Sequence, residues 1–209
     1  MKPKGFTLVE LMVGLGIASL CTIMMLMLFK QSSQISINSA EDAQYEAQLQ
    51  TALLVSQRFI QNAGYGSGSS NDIELGQHFN NPALFWRYIP NLNATPVTYI
   101  CQGLAEEIQQ KNGRVVHRLV LIEKTACGNT TAISAGTWQE SKAIVAIKHQ
   151  DQQPIFKFSL GSSDCTPFGI DNDKAGTKQV TLSAERPHLQ GAVGSTLQSS
   201  ICLSNIKMT

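Results

Sequence analysis

Charged side chains are scarce in this sequence of 209 residues. Lys, Arg, Asp and Glu together make up 15% of it and the formal net charge is +1, whereas about a quarter of the residues in ordinary globular proteins are charged. This balance excludes a protein that binds nucleic acid mainly by neutralising phosphates, and it excludes an acidic solvating tail. Hydrophobic residues make up 43%, which is enough for a core and excludes a chain that is disordered throughout.

Recognisable catalytic and metal-binding motifs are also lacking. The histidines never stand in a His-x-x-x-His or His-Glu-x-x-His pair. The sequence has no Gly-x-Ser-x-Gly elbow, no glycine loop for phosphate and no Cys-x-x-Cys pair for zinc. We therefore predict that the protein is not an enzyme and that it has no catalytic residues, no metal site and no cofactor. His117 and His149 lie in strand-like segments, where we predict structural roles.

Residues 171–176 read DNDKAG and begin like a calcium-binding loop. In the EF-hand template, however, Ala175 would fill a ligand position, and Leu182 would stand where the bidentate glutamate belongs. We interpret this segment as a solvated turn.

Residues 6–29 form an apolar run whose only charge is Glu10. In a helix, this run spans about 36 Å, enough to cross a bilayer core of about 30 Å. Lys2 and Lys4 precede it, so the positive-inside rule places the N-terminus in the cytoplasm and the rest of the chain outside. The run is too long for an ordinary secretory signal. A plain signal anchor leaves Glu10 unexplained, because an uncompensated acid in a membrane costs about 2–3 kcal/mol.

Glycine and proline are absent from residues 31–63, so helix-breaking signals are missing there. Residues in this stretch recur with the spacing of an amphipathic helix, namely Leu49, Ala52, Leu53, Ser56, Phe59, Ile60 and Ala63. Gly64 supplies a natural C-terminal cap. We predict one helix from Phe6 to about Ala63, with a membrane-spanning part at 6–29 and an amphipathic part at 30–63 that packs on a globular domain at 64–209.

Beyond the predicted helix, short β-like runs alternate with turn residues. The predicted strands are 97–101, 115–123, 143–149, 155–160, 179–184 and 200–206. No repeat of solenoid period is present. The sequence therefore predicts an α+β fold with one β-rich domain.

The exported part contains an even number of cysteines, Cys101, Cys127, Cys165 and Cys202, as expected in an oxidising compartment. Cys21 lies inside the membrane run and cannot reach them. Three pairings of the four are possible. We favour Cys101 with Cys127 and Cys165 with Cys202, because pairing nearest neighbours closes loops within adjacent strands.

Two clusters are candidate interaction surfaces. Phe79, Phe85, Trp86 and Tyr88 concentrate aromatic side chains, which are favoured anchors at interfaces but are more often core. Arg114, Arg118, Lys124 and Lys142 form a modest basic strip without interleaved aromatics. We therefore do not predict DNA binding.

The start of the chain resembles a known export signal. Residues 4–10 read KGFTLVE and are followed by an apolar helix, which is similar to the class III signal of type IV pilins and pseudopilins. The architecture of that family, a long helix against an antiparallel sheet, agrees with the predicted α+β fold.

The resemblance implies a specific maturation. A prepilin peptidase would remove the leader, residues 1–5, by cutting after Gly5, and would methylate the new amine of Phe6. Glu10 would pair with the amine of a neighbouring subunit and set register during assembly. The protein would cross the inner membrane once and later enter a pilus at the cell surface. Its partners would be membrane lipid, the inner-membrane assembly platform, and major and other minor pilins.

A second, shorter resemblance concerns residues 59–65, FIQNAGY, which look like the end of the N-terminal helix in PilW-like minor pilins. The apolar run also lacks the proline that many major pilins carry. Together they imply a minor pilin that helps initiate assembly and forms part of the tip or minor-pilin complex. A J-type pseudopilin of type II secretion is the alternative. A membrane-anchored periplasmic enzyme or binding domain is an alternative of another class.

Overall fold

The computed structural model describes residues 7–111, 113–124, 127–128, 132–149, 152–166, 176–185 and 196–206. The chain divides into two compact units, residues 1–44 and 45–209, whose boundary falls inside one long helix. The predicted α+β fold is confirmed, since this helix is followed by antiparallel β-structure.

The helix α1 spans Leu8–Ile60. In its first part, residues 8–29 are exposed on every side, and α1 is long and apolar enough, by length and composition, to cross a membrane. In its last part, Leu49, Ala52, Leu53 and Ile60 are buried. This spacing is the predicted amphipathic pattern, so only one side of the last part is buried in the protein.

The helix ends at Ile60, slightly before the predicted residue Ala63. The N–H groups of Asn62 and Ala63 donate to the carbonyls of Phe59 and Ile60, so the last turn tightens from i−4 to i−3 hydrogen bonds. Gly64 has a φ of 73°, a conformation that glycine adopts without steric cost. A short 3₁₀ turn, Ser70–Asp72, leads into the first strand.

The first sheet contains five antiparallel strands in chain order: β1 (Ile73–His78), β2 (Asn81–Tyr88), β3 (Ile100–Lys111), β4 (Arg114–Lys124) and β5 (Gln139–His149). The second sheet contains three: β6 (Phe156–Cys165), β7 (Gly176–Glu185) and β8 (Thr196–Cys202). Consecutive antiparallel strands need only short connections, which fits the turn signals in the sequence.

The strand predictions differ from the structure mainly before residue 115. β1 and β2 were not predicted, and the predicted strand 97–101 only overlaps the start of β3. The predicted strand 200–206 begins earlier, at Thr196, and ends at Cys202. The other predicted strands lie within or largely overlap β4, β5, β6 and β7.

One core joins the end of α1 to both sheets. Leu49 and Leu53 of the helix pack in the same cluster as Trp86 and Leu104 of the first sheet and Leu182 of the second. We call the face of the first sheet that lies on this core its front face. The helix and the two sheets share this cluster, so each of the three needs the other two to bury its apolar side.

A connecting segment covers part of the back face of the first sheet. We call its described residues, 127–128 and 132–138, the strap. Ile133 and Trp138 of the strap pack against Phe85 and Val120. The carboxylate of Glu74 accepts hydrogen bonds from the N–H groups of Ile133 and Ser134, each at 3.0 Å.

Two disulfides tie down chain segments of the β domain. Cys101, at the start of β3, is bonded to Cys127 of the strap, and Cys165, at the end of β6, is bonded to Cys202, at the end of β8. These are the nearest-neighbour pairs. Cys21 is unpaired and exposed on the apolar helix. The first bond holds the strap to the sheet, and the second joins the two outer strands of the second sheet.

Candidate functional site

The N-terminal end of α1 is the first candidate site. Gly5 and Phe6, the predicted processing residues, lie outside the described residues. Thr7 directly precedes the helix, and both its backbone N–H and its hydroxyl donate to Glu10 Oε2, each at 3.0 Å. The N–H of Glu10 donates back to the Thr7 hydroxyl at 3.3 Å. Thr7 and Glu10 thus form a capping box, in which each side chain satisfies an N–H of the helix end.

The capping box gives Glu10 a role that we did not predict from the sequence. The spacing Thr-x-x-Glu ahead of an apolar run is the sequence signal for such a box. It also explains how the acid is tolerated in an apolar segment, because its carboxylate is hydrogen-bonded at the positive end of the helix dipole. Within one chain, Glu10 therefore has partners even without a neighbouring subunit.

A second candidate is a buried polar cluster on the front face of the first sheet. Glu106 of β3 and His117 of β4 are both completely buried, and His117 Nδ1 donates to Glu106 Oε1 at 2.6 Å. The N–H of Ile155 donates to Oε1 at 3.1 Å and the N–H of Phe156 to Oε2 at 2.8 Å. Glu106 therefore binds the first residue of β6, so that one carboxylate joins the two sheets.

The cluster extends to the helix and to β5. The His149 ring lies edge-on to the His117 ring, with 5.2 Å between their centroids. Tyr45 of α1 donates to the carbonyl of Glu185 at 3.4 Å. Burial raises the pKa of Tyr45, and the negative charges of Glu106 and Glu185 raise this pKa further. The surroundings of Tyr45 therefore favour its neutral form.

The geometry of the cluster favours a structural role over a catalytic one. Catalysis requires that the reacting groups touch substrate, and neither Glu106 nor His117 has exposed surface. Among the described residues, no group of three or more His, Cys, Asp and Glu is arranged to hold a metal ion. Residues 171–175, the candidate calcium turn, lie outside the described residues. All three donors are used to fix Glu106 between the sheets.

The aromatic cluster of the sequence is divided in the structure. Phe85 and Trp86 are fully buried on opposite faces of β2, and Tyr88 is half-buried. Phe79 is exposed and occupies, with Asn80, a two-residue turn between β1 and β2 in which both residues have positive φ. The aromatics are therefore mainly core residues.

The basic strip is not one surface. Arg118 forms ion pairs with Glu107 and Glu140, and Lys124 donates to the carbonyl of Ala135. Arg114 and Lys142 are exposed. These four cations do not form the continuous free patch that binding to nucleic acid phosphates would need.

Comparison with known proteins gave a match at the N-terminal end of the chain. Residues 1–26 match the family described as the prokaryotic N-terminal methylation motif. The match supports a type IV pilin-like protein. Searches of curated proteins and of solved structures gave no match. The matched segment contains Thr7, Glu10 and most of the exposed apolar part of α1, so the matched motif and the N-terminal end of the helix coincide.

We predict that Glu106→Gln destabilises the β domain by about 3 kcal/mol, because the new amide N–H₂ would face a donor in a buried network. Glu107→Gln is the matched control, since its side chain lies on the other face of β3 in a partly exposed ion pair, which contributes about 0–1 kcal/mol. Denaturant unfolding of the detergent-solubilised full chain measures both. Equal losses for the two variants would contradict the assigned role of Glu106.

We also predict that Tyr45→Phe flattens the alkaline limb of the stability profile. Since folding raises the Tyr45 pKa, the folded state holds this proton more tightly than the unfolded state. The contribution of Tyr45 to the free energy of unfolding is therefore fully present below the unfolded pKa of about 10, and it falls as the pH rises above that value. Unfolding free energies between about pH 8 and pH 11, the range around that pKa, measure the slope. Tyr65→Phe, at an exposed position, should leave the slope unchanged; a wild-type slope in Tyr45→Phe would show that another group causes it.

Proposed function

We propose that this chain is a minor pilin of a type IV pilus, which helps initiate assembly and forms part of the tip or minor-pilin complex. Its mechanism is structural and involves no catalysis. The first part of α1 anchors the unassembled subunit in the inner membrane, and later enters the filament. The β domain makes lateral contacts with other minor and major pilins at the cell surface.

One observation carries the proposal. The helix that starts in a methylation motif and is exposed and apolar over residues 8–29 continues without a break into the core of a disulfide-bonded β domain. A helix that is apolar on all sides needs lipid or other apolar helices around it. Because the same helix is part of the domain core, a change from lipid to helical neighbours would carry the domain along.

The proposed maturation follows from the motif. A prepilin peptidase cuts after Gly5 and methylates Phe6, and the inner-membrane assembly platform then takes up the processed subunit. Phe6, which would carry the new amine, directly precedes Thr7 in the sequence, and Thr7 is hydrogen-bonded to Glu10. Glu10 exchanges or shares its capping bonds with the amine of a neighbouring subunit, which sets the register of the two helices.

Two other functions share part of this support. A J-type pseudopilin of type II secretion would carry the same motif, helix and β domain, and would differ in the assembly that it joins. A membrane-anchored periplasmic enzyme or binding domain would need an accessible site, and the completely buried Glu106–His117 pair does not provide one.

Mass spectrometry of the N-terminal peptide, in sheared surface filaments and in membranes, tests the proposal. N-methylated Phe6 in the sheared fraction is the expected result. Processed Phe6 found in membranes alone, at a protein level well above detection, would favour the secretion pseudopilin. An intact Met1 in both fractions would contradict every pilin-like function.

We predict that Gly5→Val blocks processing and assembly, because the peptidase acts after a glycine in this signal. The variant should retain residues 1–5 in membranes and be absent from the sheared fraction. Gly161→Ala is the control, since Gly161 lies on β6 outside the helix and a Cβ added there meets only the Gln179 carbonyl oxygen, at 3.9 Å. Normal assembly of Gly5→Val would support a simple anchor.

We predict that Glu10→Gln lowers incorporation about tenfold while processing and the β-domain fold remain normal, a factor that corresponds to about 1.4 kcal/mol. Glutamine keeps an oxygen that can accept the Thr7 bonds but has no charge to pair with an amine. Thr7→Val, which removes the capping hydroxyl and keeps the charge, is the matched variant and should assemble better. Normal incorporation of Glu10→Gln would reduce the role of Glu10 to helix capping.

A further inference from the structure

Three free cations lie together at one end of the first sheet. Lys111 and Arg114 are directly opposite each other at the turn between β3 and β4, and Lys148 of β5 is opposite Val116. Paired residues share a face of a sheet and alternate residues return to it. All three therefore project from the back face, in adjacent rows of the register. We call Lys111, Arg114 and Lys148 the basic corner.

The basic corner has no counter-charge among the described residues. Its three side chains are exposed, and none of them forms an ion pair or a side-chain hydrogen bond in the described part of the chain. The next row on the same face behaves differently, because Arg118 lies opposite Glu107 and also contacts Glu140. An acid on a neighbouring strand can thus neutralise a cation on this face, as it does for Arg118. No such acid neutralises the basic corner among the described residues.

The arrangement costs stability within the subunit. Like charges directly opposite each other on adjacent strands are destabilising. A lysine on an edge strand protects against strand-to-strand aggregation, which accounts for Lys148 on β5. It does not account for Lys111 and Arg114, because β3 and β4 are inner strands. The corner therefore fits an anionic partner outside the subunit.

The same chain exposes acids that lack partners. Glu41 and Asp42 are adjacent on α1, are exposed, and form no ion pair or side-chain hydrogen bond among the described residues. Glu107 and Glu140, in contrast, are paired with Arg118. Glu41 and Asp42 follow the exposed apolar part of α1, which in the proposed function lies beside other pilin helices.

We propose that the basic corner of one copy binds Glu41 and Asp42 of a second copy. This inference rests on the proposed function and adds to it that the minor-pilin complex contains at least two adjacent copies of this chain. The two surfaces are different parts of the chain, so the contact is heterologous, and such a contact repeats into a helical array when its rotation does not close. Arg114 can bind a carboxylate through two parallel N–H bonds, and the lysines add point charges.

Charge reversal and charge exchange in the full chain test the contact. Arg114→Glu combined with Lys148→Glu should lower the assembled fraction severalfold, and so should Glu41→Lys combined with Asp42→Lys. The chain that carries all four changes should assemble better than either double variant, because the attraction is restored with opposite signs. Lys142→Glu is the matched control, since Lys142 is an exposed cation of β5 whose register partner is the front-face residue Leu121.

The readouts separate this proposal from the proposed function. Methylated Phe6 in wild-type membranes reports the processing, and the ratio of sheared to membrane protein reports the contact. A zero-length carbodiimide cross-link between Lys148 of one tagged copy and Glu41 or Asp42 of a differently tagged copy should be present in the wild type and in Lys142→Glu. It should be reduced severalfold in Arg114→Glu alone, which keeps the Lys148 amine and both acids.

Two results would overturn the proposal. In the first, reversal of the corner leaves assembly unchanged, or the fourfold variant assembles no better than the doubles. In the second, reversal abolishes binding of double-stranded DNA by the full chain but leaves assembly unchanged, which would assign the corner to a polyanion.

Discussion

The packing of one side of the last part of α1 against apolar residues of both sheets is the contact on which the rest of the structure depends. Leu49, Leu53 and Ile60 are buried in a cluster that contains apolar residues of both sheets. The apolar faces of the two sheets that meet in this cluster need a cover, and hydrophobic burial is the main free energy available to provide it. The buried residues of α1 begin at Leu49, whereas residues 8–29 are exposed, so the last part of α1 alone is the covering element. The apolar part is joined to it because both belong to one continuous helix.

Glu106 adds directional bonds to this non-directional packing. Apolar contacts alone allow two sheets to slide and rotate with little change in buried area, whereas hydrogen bonds require specific positions. The Glu106 carboxylate receives bonds from His117 of the first sheet and from the backbone of Ile155 and Phe156 at the start of the second. A buried charge is costly when any of its bonds is lost. The cluster consequently fixes where β6 begins. It also makes the stability of the domain sensitive to the loss of any one of the three donors.

The sequence alone predicts those parts of the fold in which the surroundings of a residue follow from the residues next to it in the sequence. The apolar run and the amphipathic end of α1 are of this kind, as are β4 and β5. β2 was missed because it is covered on both faces, by the core in front and by the strap behind, so that its sequence from Ala83 to Arg87 is buried throughout and lacks the two-residue alternation of a half-buried strand. The role of Glu106 depends on donors far away in sequence and has no local signal. The Thr7–Glu10 capping box, in contrast, does have one in its spacing.

Scarcity of charge has a consequence for the proposed filament. The apolar surface of α1 can be covered by lipid or by any other apolar helix, and such contacts do not select a register. Register then has to come from the few polar groups that remain unpaired within the subunit, since electrostatic complementarity fixes register where apolar contact does not. In the β domain Arg87 is bonded to Asp72, Arg118 to Glu107 and Lys157 to Glu185, which leaves the basic corner available. Glu10 at the start of the helix and the acids Glu41 and Asp42 further along it would then act on the same helix at two separated levels.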